Sequence, residues 1–237
     1  MDELANTGGE VERVYKELKR LVIAYAIKPG ARINEGEHAR RLGVSRTPLR
    51  EALNRLVAQG FLSFAPSQGF SLKLLEATEI FDLYEMRQAI EVAAVRLACR
   101  RAKPEALDAI DAFLDRSAQA TAAQGIGQLV GFDEEFHEMI VGLAGNREMR
   151  AALLNINERI RFVRWIDMEG EHRGETQGEH RQIVAALRVG DEARAAALLD
   201  GHIGRRMDQI TAQVREGYAR IYAGAAAPSE FEGMSVR

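Results

Sequence analysis

Four side chains of types that ligate metal ions lie in the second half of the chain: Asp133, His137, His180 and His202. Asp133 and His137 are four residues apart, so on a helix they share one face about one turn apart. Mixed carboxylate and imidazole ligands suit Zn²⁺, Ni²⁺, Mn²⁺ or Fe²⁺, and the residue types do not choose among these metals. A lone histidine is more often a surface or hydrogen-bonded residue than a metal ligand. These four residues therefore indicate a metal site only if the fold brings them together.

The helices predicted around the two later histidines favour convergence. Apolar residues at helical spacing surround His180 and His202, and Gly190-Asp191 breaks the pattern between them. The two helices are therefore expected to be antiparallel neighbours. His180 is about nine residues from the bend and His202 about eleven, which at a rise of about 1.5 Å per residue places them at similar heights. One carboxylate and three imidazoles from three helices can then meet at one divalent cation.

A second informative stretch, INEGEHARRLGVSRTPLREALNRL, begins at Ile33 and predicts two short helices around a tight turn. Gly43 suits the left-handed residue that ends the first helix. Ser45 can cap the second helix, and Pro48 falls in its first turn, where a missing N–H costs nothing. The apolar residues of the stretch can then face one small core.

Polar residues at the start of the second helix are expected to face outward: Ser45, Arg46, Thr47 and Arg50. A helix-turn-helix protein uses this end of its recognition helix to reach base edges and phosphates in the major groove of DNA. Two strand-like segments flanking APSQG then predict a hairpin wing with Gln68 and Gly69 at its tip, able to approach the minor groove or a phosphate. The alternatives are a solvated wing tip and a surface helical hairpin with ordinary solvated arginines.

The charge is divided unevenly along the chain. Residues 10–74 hold 12 Lys and Arg against 6 Glu, whereas residues 75–237 hold 20 basic and 27 acidic residues. A basic N-terminal part joined to an acidic remainder fits a nucleic-acid-binding head on a body that does not bind nucleic acid. Charge alone is weak evidence, but here it coincides with the helix-turn-helix stretch.

Composition points to a globular protein of one or two domains. A hydrophobic content of 46% and a charged content of 28% are ordinary for that class, and 237 residues are enough to bury a core. No apolar run approaches the length of a membrane span, and the acidic, polar N-terminus lacks the apolar segment of a signal peptide. The single cysteine, Cys99, suits a reducing compartment. We therefore expect a cytoplasmic protein with no membrane partner.

The periodicity predicts a mostly α protein. An amphipathic helix over residues 10–27 precedes the helix-turn-helix, and after Leu74 only helical patterns occur. Six helices over residues 78–215 suggest an antiparallel bundle. We assign 10–75 to a winged helix-turn-helix domain, 76–79 to a linker, 80–215 to an all-helical effector and metal-binding domain, and 216–237 to a disordered tail.

The motif SRTPLREAL, followed by a short wing, resembles the winged helix-turn-helix of GntR-family bacterial regulators. The resemblance implies that Arg46 and Arg50 contact bases and phosphates of a double-stranded operator, with the wing helping to position the head. At Gly36 the sequence departs from family members that carry a DNA-contacting arginine at this position. Arg40 and Arg41 are candidate replacements.

The flanks of the metal-ligand candidates, FDEEFHEMI, GEHRQIVAALRVGD and LLDGHI, resemble the FCD ligand-binding domain of the FadR subfamily of those regulators. That domain carries Asp-x-x-x-His, then Glu-His, then a final His, at similar intervals. Many such domains bind a metal through the positions matching Asp133, His137, His180 and His202. The resemblance covers about residues 10–215, head and body in family order, and implies a bound divalent metal here.

The same resemblance implies an effector site beside the metal. Arg87, in LYEMRQAIE, matches an arginine that such domains point into their cavity, where a guanidinium can grip a carboxylate through two hydrogen bonds. Pairing with Glu91, four residues on, is the alternative. Arg164 and Asn157 are further candidates for lining the cavity. The expected effector is a small organic acid whose identity the sequence does not give.

The leading hypothesis is a ligand-responsive transcription repressor with no catalytic residues. It would bind a pseudo-palindromic operator as a homodimer, because one head reads only a half-site. The acid would act through its different affinity for two placements of the heads. Two alternatives remain: a metal-dependent hydrolase or lyase, with Glu134, Glu138 and Glu179 near the ligands in sequence, and a regulator whose metal only clamps three helices.

Overall fold

The computed structural model describes residues 2–119, 125–168, 173–207 and 209–223. Within these ranges the chain forms ten α-helices and a single two-stranded sheet, which confirms the mostly α prediction. It divides into two compact units. The first runs to Leu75 and takes in the end of the last helix from Tyr218, and the second is Glu76–Gly217.

The N-terminal unit is a winged helix-turn-helix. Its elements are α1 (Asp2–Ile23), α2 (Glu35–Leu42), α3 (Arg46–Ala58), β1 (Leu62–Ala65) and β2 (Gly69–Leu72). Helix α1 begins eight residues earlier than the predicted start at residue 10. Helix α2 has the bounds that the sequence pattern predicts, 35–42. The two wing strands begin and end within one or two residues of the segments predicted from the sequence, 61–64 and 70–74.

The turn between α2 and α3 is closed as its glycine predicts. Gly43 has a φ of 66°, and its backbone N–H bonds back to the Arg40 carbonyl at 3.3 Å. Asn34 caps α2 by accepting from the Glu37 N–H at 3.2 Å. Ser45 occupies the N-cap position of α3, but the prediction that its side chain caps the helix is wrong, since it makes no capping hydrogen bond. The residue is exposed, so water competes for both the hydroxyl and the first amides of the helix.

The head has one apolar core. Residues of α1 and α3 with no exposed surface pack together: Val14, Leu18, Leu49, Ala52, Leu53 and Leu56. The wing adds Phe70 from β2, in antiparallel register with Phe64 of β1. The chain just before α2 pairs with the wing through an antiparallel bridge between Arg32 and Ser71. This bridge fixes the start of the helix-turn-helix to the wing.

The second unit is a helical bundle. Its helices are α4 (Ala77–Arg101), α5 (Pro104–Ala118), α6 (Ile126–Leu143), α7 (Arg147–Met168), α8 (Arg173–Arg188), α9 (Glu192–Met207) and α10 (Ile210–Tyr222), of which α10 belongs to this unit only as far as Gly217. Helix α4 packs against α9, α6 and α7, and α8 packs against α9 after the bend at Gly190, whose φ is 69°. Ala94, Val141 and Leu153, all without exposed surface, join α4, α6 and α7.

Two segments have a secondary structure different from the predicted one. Helix α4 starts at Ala77, so most of the predicted linker 76–79 is helical, because Glu-Ala-Thr-Glu contains no residue that breaks a helix. The predicted disordered tail 216–237 is helical as far as Tyr222. Its tyrosines have partners within the N-terminal unit: the Tyr218 hydroxyl accepts from the Leu75 N–H at 3.2 Å, and the Tyr222 hydroxyl donates to the Pro29 carbonyl at 3.4 Å. Residues 224–237 lie outside the described residues.

No helix in the described ranges of the chain combines the length and the apolar character that a bilayer crossing requires.

Candidate metal centre and DNA-contacting face

The four predicted metal ligands lie together in the bundle. Asp133 and His137 come from α6, His180 from α8 and His202 from α9, and one ligand atom from each lies within 4.8 Å of all the others. The three imidazoles are buried, with exposed fractions of 0%, 1% and 3% respectively. These four side chains can therefore hold a metal ion.

The imidazoles meet through their Nε2 atoms. His202 Nε2 lies 3.2 Å from His137 Nε2 and 3.4 Å from His180 Nε2. Asp133 contributes carboxylate oxygens, with Oδ1 at 3.4 Å from His180 Nε2 and Oδ2 at 3.9 Å from His137 Nε2. Four donor atoms from three helices thus surround a single point.

Two carboxylates outside this set contact the Nδ1 atoms of two of the three rings, on the side away from the proposed metal. Glu91 Oε2 lies 2.5 Å from His137 Nδ1, and Glu179 Oε2 lies 2.6 Å from His202 Nδ1. A neutral imidazole that donates from Nδ1 to a carboxylate keeps an unprotonated Nε2. Nitrogen lone pairs facing each other at these distances repel unless a cation or proton lies between them, so the arrangement fits a metal site.

His180 is positioned by packing. Its ring stacks on Phe136 with the ring centroids 3.7 Å apart and an interplanar angle of 15°. Its Nδ1 is buried and has no hydrogen-bond partner in the described part of the chain. The His180 ring is therefore oriented by stacking on an aromatic neighbour, whereas the His137 and His202 rings are oriented by hydrogen bonds to carboxylates.

The protonation states suit metal binding. Burial lowers the pKa of His137 to about 4 although Glu91 acts in the opposite direction. Burial also holds the pKa of His180 well below its ordinary value. For Asp133, burial alone would raise the pKa, but Arg164 and the three imidazoles keep it well below its usual range. At neutral pH both rings are neutral and the carboxylate is ionised, which is what metal ligation requires.

Arg164 on α7 supports the carboxylate ligand. Its Nη2 contacts Asp133 Oδ2, and its Nη1 lies 3.4 Å from both Glu134 Oε1 and Asn157 Oδ1. Burial disfavours the charge, but the two carboxylates outweigh it and raise the pKa of Arg164. The next residue, Trp165, is 7% exposed and stacks on Phe162 with the ring centroids 6.3 Å apart.

Two buried donor groups near this centre have no partner. Arg87, which is 3% exposed, donates from Nε to Glu91 Oε1 at 2.6 Å, so the pairing with Glu91 that was the alternative to an effector role is present. The Nη2 atom of Arg87 and the Nδ2 atom of Asn157 are buried, yet neither has a hydrogen-bond partner within the residues described. Unpaired buried donors cost free energy, so they mark a place where a polar ligand would be stabilised.

The residues predicted to contact DNA lie on the surface of the head. Ser45, Arg46, Thr47 and Arg50 are exposed at the start of α3, and Gln68 is exposed at the tip of the wing. Gly69 follows with a φ of 77°, a conformation that favours glycine. Beside α3 lies a cavity of about 450 Å³, lined by residues that include Arg32, Glu35, Arg46 and Arg50.

Sequence reasoning missed several of these residues. Glu91 appeared only as a partner for Arg87, and Glu179 only as a neighbour of the ligands in sequence. Glu179 contacts His202, 23 residues away, and Glu91 contacts His137, 46 residues away, so no local spacing could have paired them. Arg32 and Glu35 border the recognition helix from outside the SRTPLREAL motif.

Comparisons with known proteins agree with this architecture. Residues 10–72 match the family model described as bacterial regulatory proteins, gntR family, and residues 82–205 match the FCD domain. The chain is 42% identical over 205 residues to the Nta operon transcriptional regulator of Aminobacter aminovorans, covering 85% of this chain and 95% of that protein. It is 30% identical to the uncharacterized HTH-type regulator YdhC of Bacillus subtilis (strain 168), covering 86% and 92%.

Solved structures show the same fold. E. coli McbR/YncC superposes with a TM-score of 0.68 at 26% identity, covering 88% of this chain and 98% of that one. A GntR regulator from Rhodococcus sp. RHA1 superposes with a TM-score of 0.67 at 24% identity, covering 86% and 98%. The curated relatives are named as transcription regulators, so the family match favours a regulator over the hydrolase or lyase alternative. The chain belongs to the GntR family of bacterial transcription regulators, with a DNA-binding winged helix-turn-helix head and the FCD body of the FadR subfamily.

Proposed function

We propose that this DNA-binding regulator is a repressor whose operator affinity responds to a small carboxylic acid bound beside a divalent metal in the helical body. The observation that carries the proposal is the cluster of half-buried Asp133 with buried His137, His180 and His202. Near it, two buried donor atoms have no hydrogen-bond partner among the described residues: Arg87 Nη2 and Asn157 Nδ2. A cation site next to buried hydrogen-bond donors is suited to an anionic ligand with several oxygens.

Operator binding is assigned to the exposed start of α3 and to the wing. Arg46 and Arg50 supply base and phosphate contacts, Ser45 and Thr47 lie beside them, and Gln68 and Gly69 approach the duplex from the wing. One head covers one half-site, so a homodimer on a pseudo-palindromic operator is proposed. Exposed apolar side chains on α4, Phe81 and Met86, support a dimer surface on the body.

The metal ligands would be Asp133, His137, His180 and His202. A mixed set of three imidazole nitrogens and one carboxylate suits Zn²⁺, Ni²⁺, Mn²⁺ or Fe²⁺, and such an ion, when bound, supplies Lewis-acid coordination for a ligand oxygen. Arg164 holds Asp133 in place, which modifies its expected role as an effector contact. The unpaired Nη2 of Arg87 and the Nδ2 of Asn157 are the atoms proposed to donate to the acid.

The effector would act by binding the two DNA-binding arrangements of the dimer with different affinity. A bacterial repressor acts on chromosomal DNA, so we place the protein in the cytoplasm. Its single cysteine is consistent with this reducing compartment. The rival proposal is a metal that only ties α6, α8 and α9 together. The burial of all three imidazoles favours this rival as a second candidate.

Metal analysis of the purified protein, followed by thermal shift measurements against a panel of small carboxylic acids, separates the two. The sensor proposal expects near-stoichiometric metal and at least one acid that raises the melting temperature of the wild type but not of Arg87→Ala. The matched control is Arg181→Ala, an exposed arginine paired with Asp115. Metal with no response to any acid would favour the structural clamp, and absence of metal would overturn both.

A further inference from the structure

Three guanidinium groups border one cavity on the surface of the head. Arg32, Arg46 and Arg50 line it together with a single acidic residue, Glu35. Glu35 Oε2 lies 3.4 Å from Arg50 Nη1, so its charge is already balanced. A concave surface with this excess of positive charge favours a polyanion.

The backbone of Arg32 is held in place by the wing. Arg32 forms an antiparallel bridge with Ser71. On its two sides, the Leu72 N–H donates to the Ala31 carbonyl at 3.1 Å and the Ile33 N–H donates to the Phe70 carbonyl at 2.8 Å. Ile33 is 3% exposed, so the alternation of an extended segment directs Arg32 to the opposite, solvent side. The arginine is therefore presented from a fixed backbone.

The guanidinium of Arg32 lies next to the tip of the wing. A Cβ atom added at Gly69 would lie 3.6 Å from both Nε and Nη2 of Arg32. Among the residues that the structure describes, the Arg32 side chain has no ion-pair or hydrogen-bond partner. Arg32 is exposed, and its backbone is already held by the wing. It can therefore bind an external anion with little further loss of backbone freedom.

We propose that Arg32 is a DNA-contacting residue that binds a backbone phosphate between the wing and the start of α3. The proposal rests on the proposed placement of α3 in the major groove. Arg46 and Arg50 lie at the start of the recognition helix, where base edges are within reach, whereas Arg32 lies towards the wing, which follows the sugar-phosphate backbone. Its planar fork of N–H groups matches phosphate oxygens.

Arg32 also takes the place of Arg40 and Arg41 as the candidate for the DNA contact that is missing at Gly36. Arg41 borders a different cavity of about 740 Å³, together with Arg13 and Arg20. In the described structure neither Arg40 nor Arg41 lines the cavity that Arg46 and Arg50 share. A side chain at Gly36 would lie close to Arg46, since an added Cβ would be 3.8 Å from Arg46 Nη2.

The experiment uses the full-length protein and two duplexes. The first is the sequence that the wild type enriches from a random pool, and the second is a scrambled version of it. Affinities of the wild type, Arg32→Ala and Arg32→Lys are measured from low to high salt. Arg41→Ala is the matched control, and Arg50→Ala shows whether α3 contacts DNA.

A phosphate contact predicts that Arg32→Ala weakens binding to both duplexes by a similar factor, roughly five- to tenfold at about 0.1 M salt. The slope of log affinity against log salt should fall by about one per head in Arg32→Ala. Arg32→Lys keeps the charge but loses the fork, so it should keep the wild-type slope and have an affinity between those of Arg32→Ala and the wild type. Unchanged affinity in Arg32→Ala alongside a loss in Arg50→Ala would overturn the role of Arg32 alone. Loss confined to the enriched duplex would overturn the phosphate assignment. Failure of the wild type to enrich any duplex would instead overturn the proposed operator binding.

Discussion

Glu91 Oε2 lies 2.5 Å from His137 Nδ1, while Oε1 of the same carboxylate accepts from Arg87 Nε at 2.6 Å. One buried carboxylate thus contacts both a proposed metal ligand and the arginine proposed to bind the effector. The two partners together outweigh the desolvation that would raise its pKa, and lower the pKa of Glu91 to about 2. A ligand that draws Arg87 away from Glu91 would therefore change the hydrogen bond between Glu91 and His137. Because binding linkage is reciprocal, effector affinity and metal affinity would then depend on each other through this one carboxylate.

Glu91→Gln tests this connection. The substitution keeps the size of the side chain but removes the charge that orients His137, so metal affinity should fall by about 10- to 100-fold. Competition with a chelator of known affinity measures the change. Glu179→Gln should have a similar effect through His202, whereas Glu105→Gln, an exposed residue of the first turn of α5, should have none. Equal metal affinity in all three variants would show that these carboxylates do not orient the rings.

His180→Ala removes a proposed ligand outright. Metal content should fall further than in Glu91→Gln, because a direct ligand is lost and not an orienting group. DNA binding by the metal-free form should be preserved, since the head does not contain the site. Elemental analysis of the purified variant checks the first expectation, with His38→Ala as a histidine variant outside the cluster. Full metal occupancy in His180→Ala would rule out the four-ligand site.

Arg50→Ala tests the recognition helix. Loss of a base or phosphate contact should weaken operator binding by about 1–3 kcal/mol, or roughly 5- to 150-fold. The salt slope should fall by about one per head if the contact is to phosphate. Titrations with the enriched duplex measure both quantities, and Arg188→Ala, which removes a surface pair with Asp108 and Asp111 on the body, is the control. Wild-type affinity in Arg50→Ala would remove Arg50 from the DNA-contacting set.

The stability of the metal-free chain should fall as the pH drops from about 6.5 towards 4. The pKa of His137 is about 4 in the folded chain against an ordinary value of 6.5, so on acidification the unfolded state takes up this proton first and is stabilised relative to the folded state. Glu91, with a folded pKa of about 2, extends the loss below pH 4.5. Denaturant midpoints measured across this range, with a chelator present, give the profile. A flat profile would contradict the burial of a neutral His137.

The sequence predicted what depends on local pattern. The four-residue spacing of Asp133 and His137 and the bend at Gly190 predict that the four ligand candidates can converge, and both are properties of single helices or helix pairs. The choice of His137, His180 and His202 among the five histidines rests on the resemblance of their flanks to the FCD domain. The bounds of α2 were set by residues at its ends, such as Gly43.

What the sequence could not predict depends on contacts between distant elements. Nothing near Arg164 in the sequence marks it as the partner of Asp133, 31 residues earlier, so the sequence predicts only that Arg164 lines the cavity. Whether Ser45 caps α3 is decided by the orientation of one hydroxyl. The helical extension to Tyr222 depends on partners at Leu75 and Pro29, more than 140 residues away in the chain.

The chain contains one tryptophan, Trp165, which is buried on α7 directly after Arg164. Intrinsic fluorescence excited at the red edge of the indole band therefore comes from the body alone, and the head is silent in that signal. Arg164, which contacts Asp133, directly precedes the indole, so we expect a metal or acid titration to change this fluorescence without an added label. Circular dichroism records helices of both units, and a difference between the two melting curves would separate the unfolding of the body from that of the head.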